Sequence, residues 1–136
     1  MNHLHQAYER ILGRQAERSA LITDAQAPDN PIVFVTGAFL AMTGYSRDAV
    51  IGHNCRFLQG PATCPTAIAD IRAAVRGGRA LTRDILNYRR DGTTFWNRLR
   101  IRPVAGPDGR IRRFVGVQQE IQASEVWPDA IDGIHG

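Results

Sequence analysis

Lysine is absent from the sequence, so arginine supplies all 17 cationic side chains, against 13 acidic ones. The net charge of +4 could indicate nucleic-acid binding, but the arginines are spread along the chain rather than gathered in one basic patch. No apolar run reaches the roughly 18 residues of a membrane span, and the N-terminus is too polar for a secretory signal. We therefore expect a soluble cytoplasmic protein that binds neither nucleic acid nor membrane.

Cysteine is also scarce, with only Cys55 and Cys64 present. The chain has neither a CxxC pair nor a Cys/His metal spacing, so no metal site is predicted, and we expect both thiols to be reduced. A glycine-rich dinucleotide loop is missing too, which argues against an enzyme that uses a nicotinamide cofactor. A length of 136 residues fits one domain with one core.

Apolar periodicity predicts an α+β fold, in which short helices lie on one face of a five-stranded antiparallel sheet. Hairpins at Asp91-Gly92 and at Pro107-Asp108-Gly109 join the last three strands. The predicted elements are an amphipathic helix in residues 1–18, strands at 19–24 and 31–35, helices at 38–42, 46–50 and 66–76, and strands at 80–90, 93–103 and 110–121.

Strand alternation places three amide side chains among apolar residues. In the strand at 93–103, Asn97 shares a face with Leu99, while Asn87 and Gln118 repeat the pattern on the flanking strands. A buried amide needs a hydrogen-bonding partner, so the amides either satisfy each other and the backbone or surround a ligand. A flat heteroaromatic ligand suits the second alternative, because Gly116 would let its ring approach the backbone closely.

The opposite face of the sheet carries an apolar patch, which a soluble domain seldom leaves bare. The N-terminal helix could cover the patch within the chain, or two copies could pair through it as a homodimer. The predicted patch comprises Ile22, Trp96, Ile111, Val115 and Val117, and its candidate covers are Leu4, Tyr8, Ile11 and Leu12 in the helix and Val126, Trp127, Ile131 and Ile134 near the C-terminus.

Chemically reactive side chains are concentrated in the segment GHNCRFLQG at residues 52–60. On a helical turn Cys55 and Gln59 would share one face, beside Asn54 and Arg56. By residue type alone, the commoner outcome is an inert core cysteine with polar neighbours that cap a turn or face water.

The order of these residues, however, resembles the flavin-binding signature of LOV domains, the blue-light-sensing branch of the PAS superfamily. Further flavin contacts of that family fall at matching distances on Arg72, Asn87, Asn97 and Gln118. The similarity extends over about residues 20–121. One departure is His53, where the family commonly has arginine, and it bears on the rate of dark recovery rather than on binding.

The resemblance implies an N-terminal cap at 1–18, a flavin-binding core at 19–121 and a C-terminal extension at 122–136. It implies FMN as the cofactor, with Arg56 and Arg72 on the phosphate, which would offset part of the basic excess. The other implied contacts are Asn54 and Gln59 on the ribityl chain, Asn87 and Asn97 on the ring edge, and Leu21, Thr23, Phe39, Ile85, Leu99, Ile101, Phe114 and Gly116 around the ring.

The resemblance also implies a light sensor rather than an enzyme. After blue-light absorption the Cys55 sulfur would add reversibly to ring carbon 4a while ring nitrogen 5 gains a proton, and Gln118 would change from donor to acceptor. Cys64 would be a bystander. The alternatives are a flavin-dependent redox enzyme, a structural PAS module without ligand, or a sensor module cut from a larger signalling protein, whose downstream partner the sequence does not identify.

Overall fold

The computed structural model describes residues 3–128. Its strands are β1 Ser19–Asp24, β2 Ile32–Val35, β3 Leu81–Tyr88, β4 Thr94–Ala105 and β5 Ile111–Ile121, and its helices are α1 His3–Leu12, α2 Gly37–Thr43, α3 Arg47–Val50 and α4 Pro65–Arg76. The strands form one antiparallel sheet in the order β2-β1-β5-β4-β3. The α+β arrangement predicted from periodicity is confirmed.

Local sequence explains where the helices begin and end. Thr36 starts α2, because its Oγ1 accepts a hydrogen bond of 3.3 Å from the Phe39 amide, and Gly44 ends it in the left-handed conformation with φ of 79°. Pro65 opens α4, at a position where a missing N–H costs nothing. Helices α2, α3 and α4 pack on the same side of the sheet as a 3₁₀ turn, Cys55–Leu58.

The N-terminal helix is shorter than predicted and does not extend through residue 18. It ends at Leu12, because Gly13 takes φ of 57°, and a 3₁₀ turn over Gly13–Glu17 then leads into β1. The helix lies on the opposite sheet face from α2–α4. We call the buried cluster beneath it the outer cluster, which consists of Tyr8, Leu12, Ala20, Ile22, Val115 and Val117.

The outer cluster shows how the predicted apolar patch is covered. Tyr8 and Leu12 seal it within the chain, and Ile11 packs at its edge. Arg102 fixes the end of α1, because its Nη2 donates a hydrogen bond of 2.8 Å to the Ile11 carbonyl. Leu4 does not join the cluster and remains 55% exposed. The face predicted as a route to a homodimer is therefore occupied here by the chain's own helix.

Ile111 was predicted on the outer face, and this prediction is wrong. The register between β4 and β5 shifts at Val104/Ala105, so alternation does not continue to the start of β5. Ile111 lies instead beside the end of α4, where its Cγ1 would be 3.2 Å from a Cβ added to Gly78. The half-buried Trp96 lies on β4 opposite Ile121.

The segment after β5 folds back over the outer sheet face near β3 and β4. Asp84, which is fully buried, accepts two hydrogen bonds from Arg98 and one of 2.9 Å from the Trp127 amide. The Arg98 guanidinium also lies over the Trp127 ring, 4.0 Å from its centroid. Ile131 and Ile134, predicted to help cover the sheet, lie outside the described residues. Within residues 3–128, no helix combines the length and apolar character needed to cross a membrane.

Candidate functional site

A cavity lies between the inner face of the sheet, α4 and the turn at Cys55–Leu58. The lining residues are Leu21, Thr23, Asn30, Cys55, Leu58, Gln59, Ile71, Val75, Ile85, Asn87, Asn97, Leu99, Ile101, Phe114, Gly116 and Gln118. The structure thus brings together in one place the predicted thiol, the three amides and the apolar side chains, except Phe39.

Phe39 was predicted to contact a ligand ring, but it is not among the residues that line the cavity. It is fully buried in the cluster formed by Leu21, Ile32, Val35, Val50 and Leu58, against which Cys55 packs. Phe39 therefore supports the turn that carries the thiol. The family resemblance implied a contact with the ring and did not distinguish this second layer from the cavity wall.

The amides satisfy each other only in part. Asn97 Nδ2 donates a hydrogen bond of 3.0 Å to Asn87 Oδ1, and Asn87 Nδ2 donates one of 3.3 Å to the Leu86 carbonyl. The carbonyl of Asn97 is left buried without a partner, as is the hydroxyl of Thr23. Each unsatisfied buried polar atom costs about 1–3 kcal/mol. A ligand with N–H or O–H donors would satisfy these two acceptors.

Asn30 lines the cavity but was not predicted as a site residue. Its Oδ1 is buried without a partner, and its backbone has φ of 50°, in the left-handed region. In the sequence Asn30 directly precedes Pro31, and an asparagine before a proline is typical of an ordinary turn. Ile71 and Val75 lie four residues apart on α4, a spacing typical of the core face of a helix, and here that face forms a cavity wall.

Cys55 begins the 3₁₀ turn, and Asn54 caps it by accepting a hydrogen bond of 3.0 Å from the Arg56 amide. Cys55 and Gln59 both line the cavity, as their spacing predicts. Burial raises the pKa of the Cys55 thiol, so the group stays protonated at neutral pH. The second thiol, Cys64, packs against Ala67 and Ile85 outside the cavity lining.

A polar groove continues from the cavity mouth and contains the remaining predicted residues. Asn54, Arg56 and Arg72 line it together with Asp29 and Arg76. Arg56 Nη1 donates to Asp29 Oδ1 at 2.9 Å, and Arg56 Nη2 makes a second contact with Asp29 Oδ2. The hydrogen bond from Arg56 lowers the pKa of the Asp29 carboxyl. The groove shares Asn30, Cys55 and Gln59 with the cavity, so the two are continuous.

Two features of β5 shape the cavity wall. A Cβ added to Gly116 would lie 3.3 Å from Leu21 Cδ1 and 3.4 Å from Gln118 Nε2, so the absence of a side chain keeps this part of the wall open. Gln118 Oε1 accepts a hydrogen bond of 3.0 Å from the Ser19 hydroxyl.

His53, the position that departs from the family signature, has an exposed side chain. Its backbone carbonyl accepts a hydrogen bond of 2.8 Å from the Ile32 amide.

Curated proteins and domain families identify close relatives. A PAS domain family matches residues 18–123. A blue-light-activated histidine kinase from Rhizobium johnstonii is 54% identical over 98 residues, which cover 72% of this chain and 28% of the kinase. Phototropin-2 from Oryza sativa subsp. japonica is 44% identical over 105 residues, which cover 77% of this chain and 12% of phototropin-2. The chain thus spans less than a third of either relative.

Solved structures agree with the sequence relatives. The dark structure of the LOV domain of the blue-light photoreceptor Aureochrome1 matches with a TM-score of 0.79 and 43% identity, covering 91% of this chain and 86% of that domain. A LOV domain from a blue-light activated histidine kinase of Erythrobacter litoralis gives a TM-score of 0.74 and 43% identity, covering 76% of this chain and 95% of that domain. The chain belongs to the PAS domain superfamily, in its light-oxygen-voltage (LOV) branch.

Proposed function

We propose that this domain senses blue light by holding FMN in the cavity and forming a reversible bond between that cofactor and Cys55. The observation that carries the proposal is the position of the Cys55 thiol, which lines the same cavity as the unsatisfied carbonyl of Asn97. The names of the relatives add support, since they describe blue-light-activated proteins. A structure at 40% identity and a TM-score of 0.81 is described in terms of a flavin analogue and the LOV mechanism.

The polarity of the cavity fits a flavin from ring to phosphate. Asn97 Oδ1 and Thr23 Oγ1 are free acceptors for N–H or O–H groups, and Asn87 lies beside them. Asn30 and Gln59 lie where the cavity meets the groove, so they would hold the hydroxyls of a ribityl chain. The arginines of the groove suit a phosphate. This sequence of donors and acceptors favours FMN.

A bound flavin would supply the absorption of blue light and a ring carbon that a thiol can attack. Cys55 would supply the sulfur for the new bond and would release its proton toward the ligand. Because burial keeps this thiol protonated, it is a weak nucleophile in the dark, and premature reaction is disfavoured. The turn that carries Cys55 is held by the Asn54 cap and by apolar packing, which would keep the sulfur in position.

Gln118 would detect the change of protonation on the ligand, because an amide offers both a donor and an acceptor. In the present arrangement Ser19 uses the amide oxygen, which leaves Nε2 for the ligand. Val117, the preceding residue, belongs to the outer cluster beneath α1. We propose that the response leaves the domain through β5 to α1, for which coupling of about 1–3 kcal/mol would suffice.

The test is reconstitution of the purified chain with FMN. We expect a yellow protein whose absorption in the blue is lost on illumination and returns in the dark. A chain that binds no flavin, or that binds flavin and does not bleach, would contradict the proposal. Oxidation of added NADPH by the same sample would instead favour a flavin-dependent enzyme.

A further inference from the structure

The groove beyond the cavity contains more charge than the two arginines predicted to hold a phosphate. Arg56 is already engaged, because both of its terminal nitrogens contact the Asp29 carboxylate. The Asp29 backbone is itself held in place, since its carbonyl accepts a hydrogen bond of 2.8 Å from Asn54 Nδ2. A phosphate that binds in the groove would therefore meet an Arg56 side chain whose positive charge is already paired with Asp29.

Arg72 and Arg76 are placed differently. They lie four residues apart on α4, so they share one helix face, and both line the groove. None of the ion pairs within residues 3–128 includes either of them. They are the cations of the groove whose charge is not balanced by an acidic neighbour.

The net charge of the groove is opposite in sign to that of one phosphate monoester and about equal in size. Three guanidiniums, those of Arg56, Arg72 and Arg76, and the carboxylate of Asp29 give the groove a net charge of +2. A phosphate monoester carries about −1.5 to −2 at neutral pH. Without Arg76 the groove would carry only +1, and without Asp29 it would carry +3.

We propose that Arg76 is a third phosphate-binding residue, that Arg72 and Arg76 form the main phosphate contact, and that Asp29 moderates the attraction by neutralising Arg56. This inference rests on the proposed flavin site and adds the groups that make it select FMN over riboflavin. Planar guanidinium groups suit this role, because each can donate two parallel hydrogen bonds to phosphate oxygens.

The experiment titrates the flavin-free, refolded chain separately with FMN and with riboflavin and follows quenching of flavin fluorescence. The measured quantity is the selectivity, defined as the Kd for riboflavin divided by the Kd for FMN. Arg76→Gln should lower the selectivity about tenfold, as expected for loss of one charge-assisted contact, and leave the Kd for riboflavin unchanged. Arg76→Lys should retain part of the selectivity, and Asp29→Asn should raise it.

Arg100→Gln is the matched control. It removes the same charge from β4, where Arg100 lies opposite Val117 of the outer cluster, so the selectivity should not change. Riboflavin binding reports whether each variant has folded, because riboflavin lacks the phosphate. If Arg76→Gln keeps the wild-type selectivity, or Asp29→Asn lowers it, the inference is wrong while the flavin site stands. If the wild-type chain binds neither flavin, the proposed function itself fails.

Discussion

Ser19 and Gln118 are joined by a buried hydrogen bond of 3.0 Å, from the serine hydroxyl to the amide oxygen Oε1. They are also direct partners in the register of β1 and β5. The serine therefore fixes which end of the amide faces the cavity. If the amide rotates, its Nε2 group would face Ser19, whose hydroxyl can accept as well as donate. The pair thus suits both orientations of the amide and connects the cavity to the first residue of β1.

In the variant Gln118→Leu, the bond between Cys55 and the flavin should still form, but the structural response in β5 and α1 should be weaker. Leucine has neither donor nor acceptor, so we expect normal light-induced bleaching but a smaller light-minus-dark difference in hydrogen exchange over β5 and α1. Ser19→Ala, which removes only the hydroxyl, should change the rate of dark recovery, and Ser19→Thr should restore it. An unchanged hydrogen-exchange difference in Gln118→Leu would show that the response leaves by another path.

Cys55→Ala should bind flavin and stay yellow under blue light, because the thiol needed for the bond is missing. The measurement is absorption in the blue before and after illumination. Cys64→Ala is the matched control, since Cys64 is buried outside the cavity lining. Reversible bleaching in the Cys55 variant, or its loss in the Cys64 variant, would contradict the assignment of the thiol.

The free energy of unfolding should fall at high pH because of Cys55. Burial raises its pKa in the folded chain above the ordinary thiol value of 9.0. The contribution of this group is therefore fully present below that pH and is lost as the pH rises through the folded-state value. Urea unfolding of the flavin-free chain, from neutral pH to well above 9.0, should show a steeper decline for wild type than for Cys55→Ala. Parallel curves for the two proteins would contradict this prediction.

Removal of residues 1–16 should uncover the outer cluster, because Tyr8 and Leu12 are buried in it. Burial of one such side chain is worth about 1.5–3 kcal/mol, so we expect lower stability or a new dimer in solution scattering. Arg102→Gln is the milder test, since it leaves α1 in the chain and removes the guanidinium that donates hydrogen bonds to the Ile11 carbonyl and to Gln15 Oε1. If neither change alters the association state or the light response, α1 is not part of the output.

Asp84→Ala should destabilise the domain strongly. The fully buried carboxylate holds Arg98 and the Trp127 amide, and its loss leaves the half-buried Arg98 without its carboxylate partner. Breaking a buried pair in this way costs about 3–5 kcal/mol. Urea unfolding measures the change, and the double variant Asp84→Ala/Arg98→Met should recover part of it. A loss below about 1 kcal/mol would show that the pair is effectively solvated.

The sequence predicted the fold well because its signals are local. Alternation placed Asn87, Asn97 and Gln118 on the cavity side without any knowledge of their partners. The failures arise where a local pattern is interrupted, as at Gly13, where α1 ends, and at the register shift that displaces Ile111. Alternation along a strand holds only while the ladder stays in register.

The remaining differences at the site come from contacts between distant segments. The pairing of Asp29 with Arg56 joins residues 27 positions apart and depends on how the loop before β2 meets the Cys55 turn. Asn30 lines the cavity because of the same loop, whose left-handed backbone no periodicity predicts. Phe39 illustrates a second reason for a difference between prediction and structure. An apolar residue can be fully buried without lining the cavity, and burial does not reveal which layer of the core it occupies.

The sheet forms one wall of the cavity, and this wall is only one backbone layer thick. Val117 faces the helix side and Gln118 the cavity side, and only one peptide unit, a rise of about 3.4 Å, separates them. Information about the ligand therefore need not travel through the packed interior formed by α2–α4. If the proposed function holds, substitutions on α2–α4 that leave the Cys55 turn in place should therefore not interrupt the response from the ligand to α1.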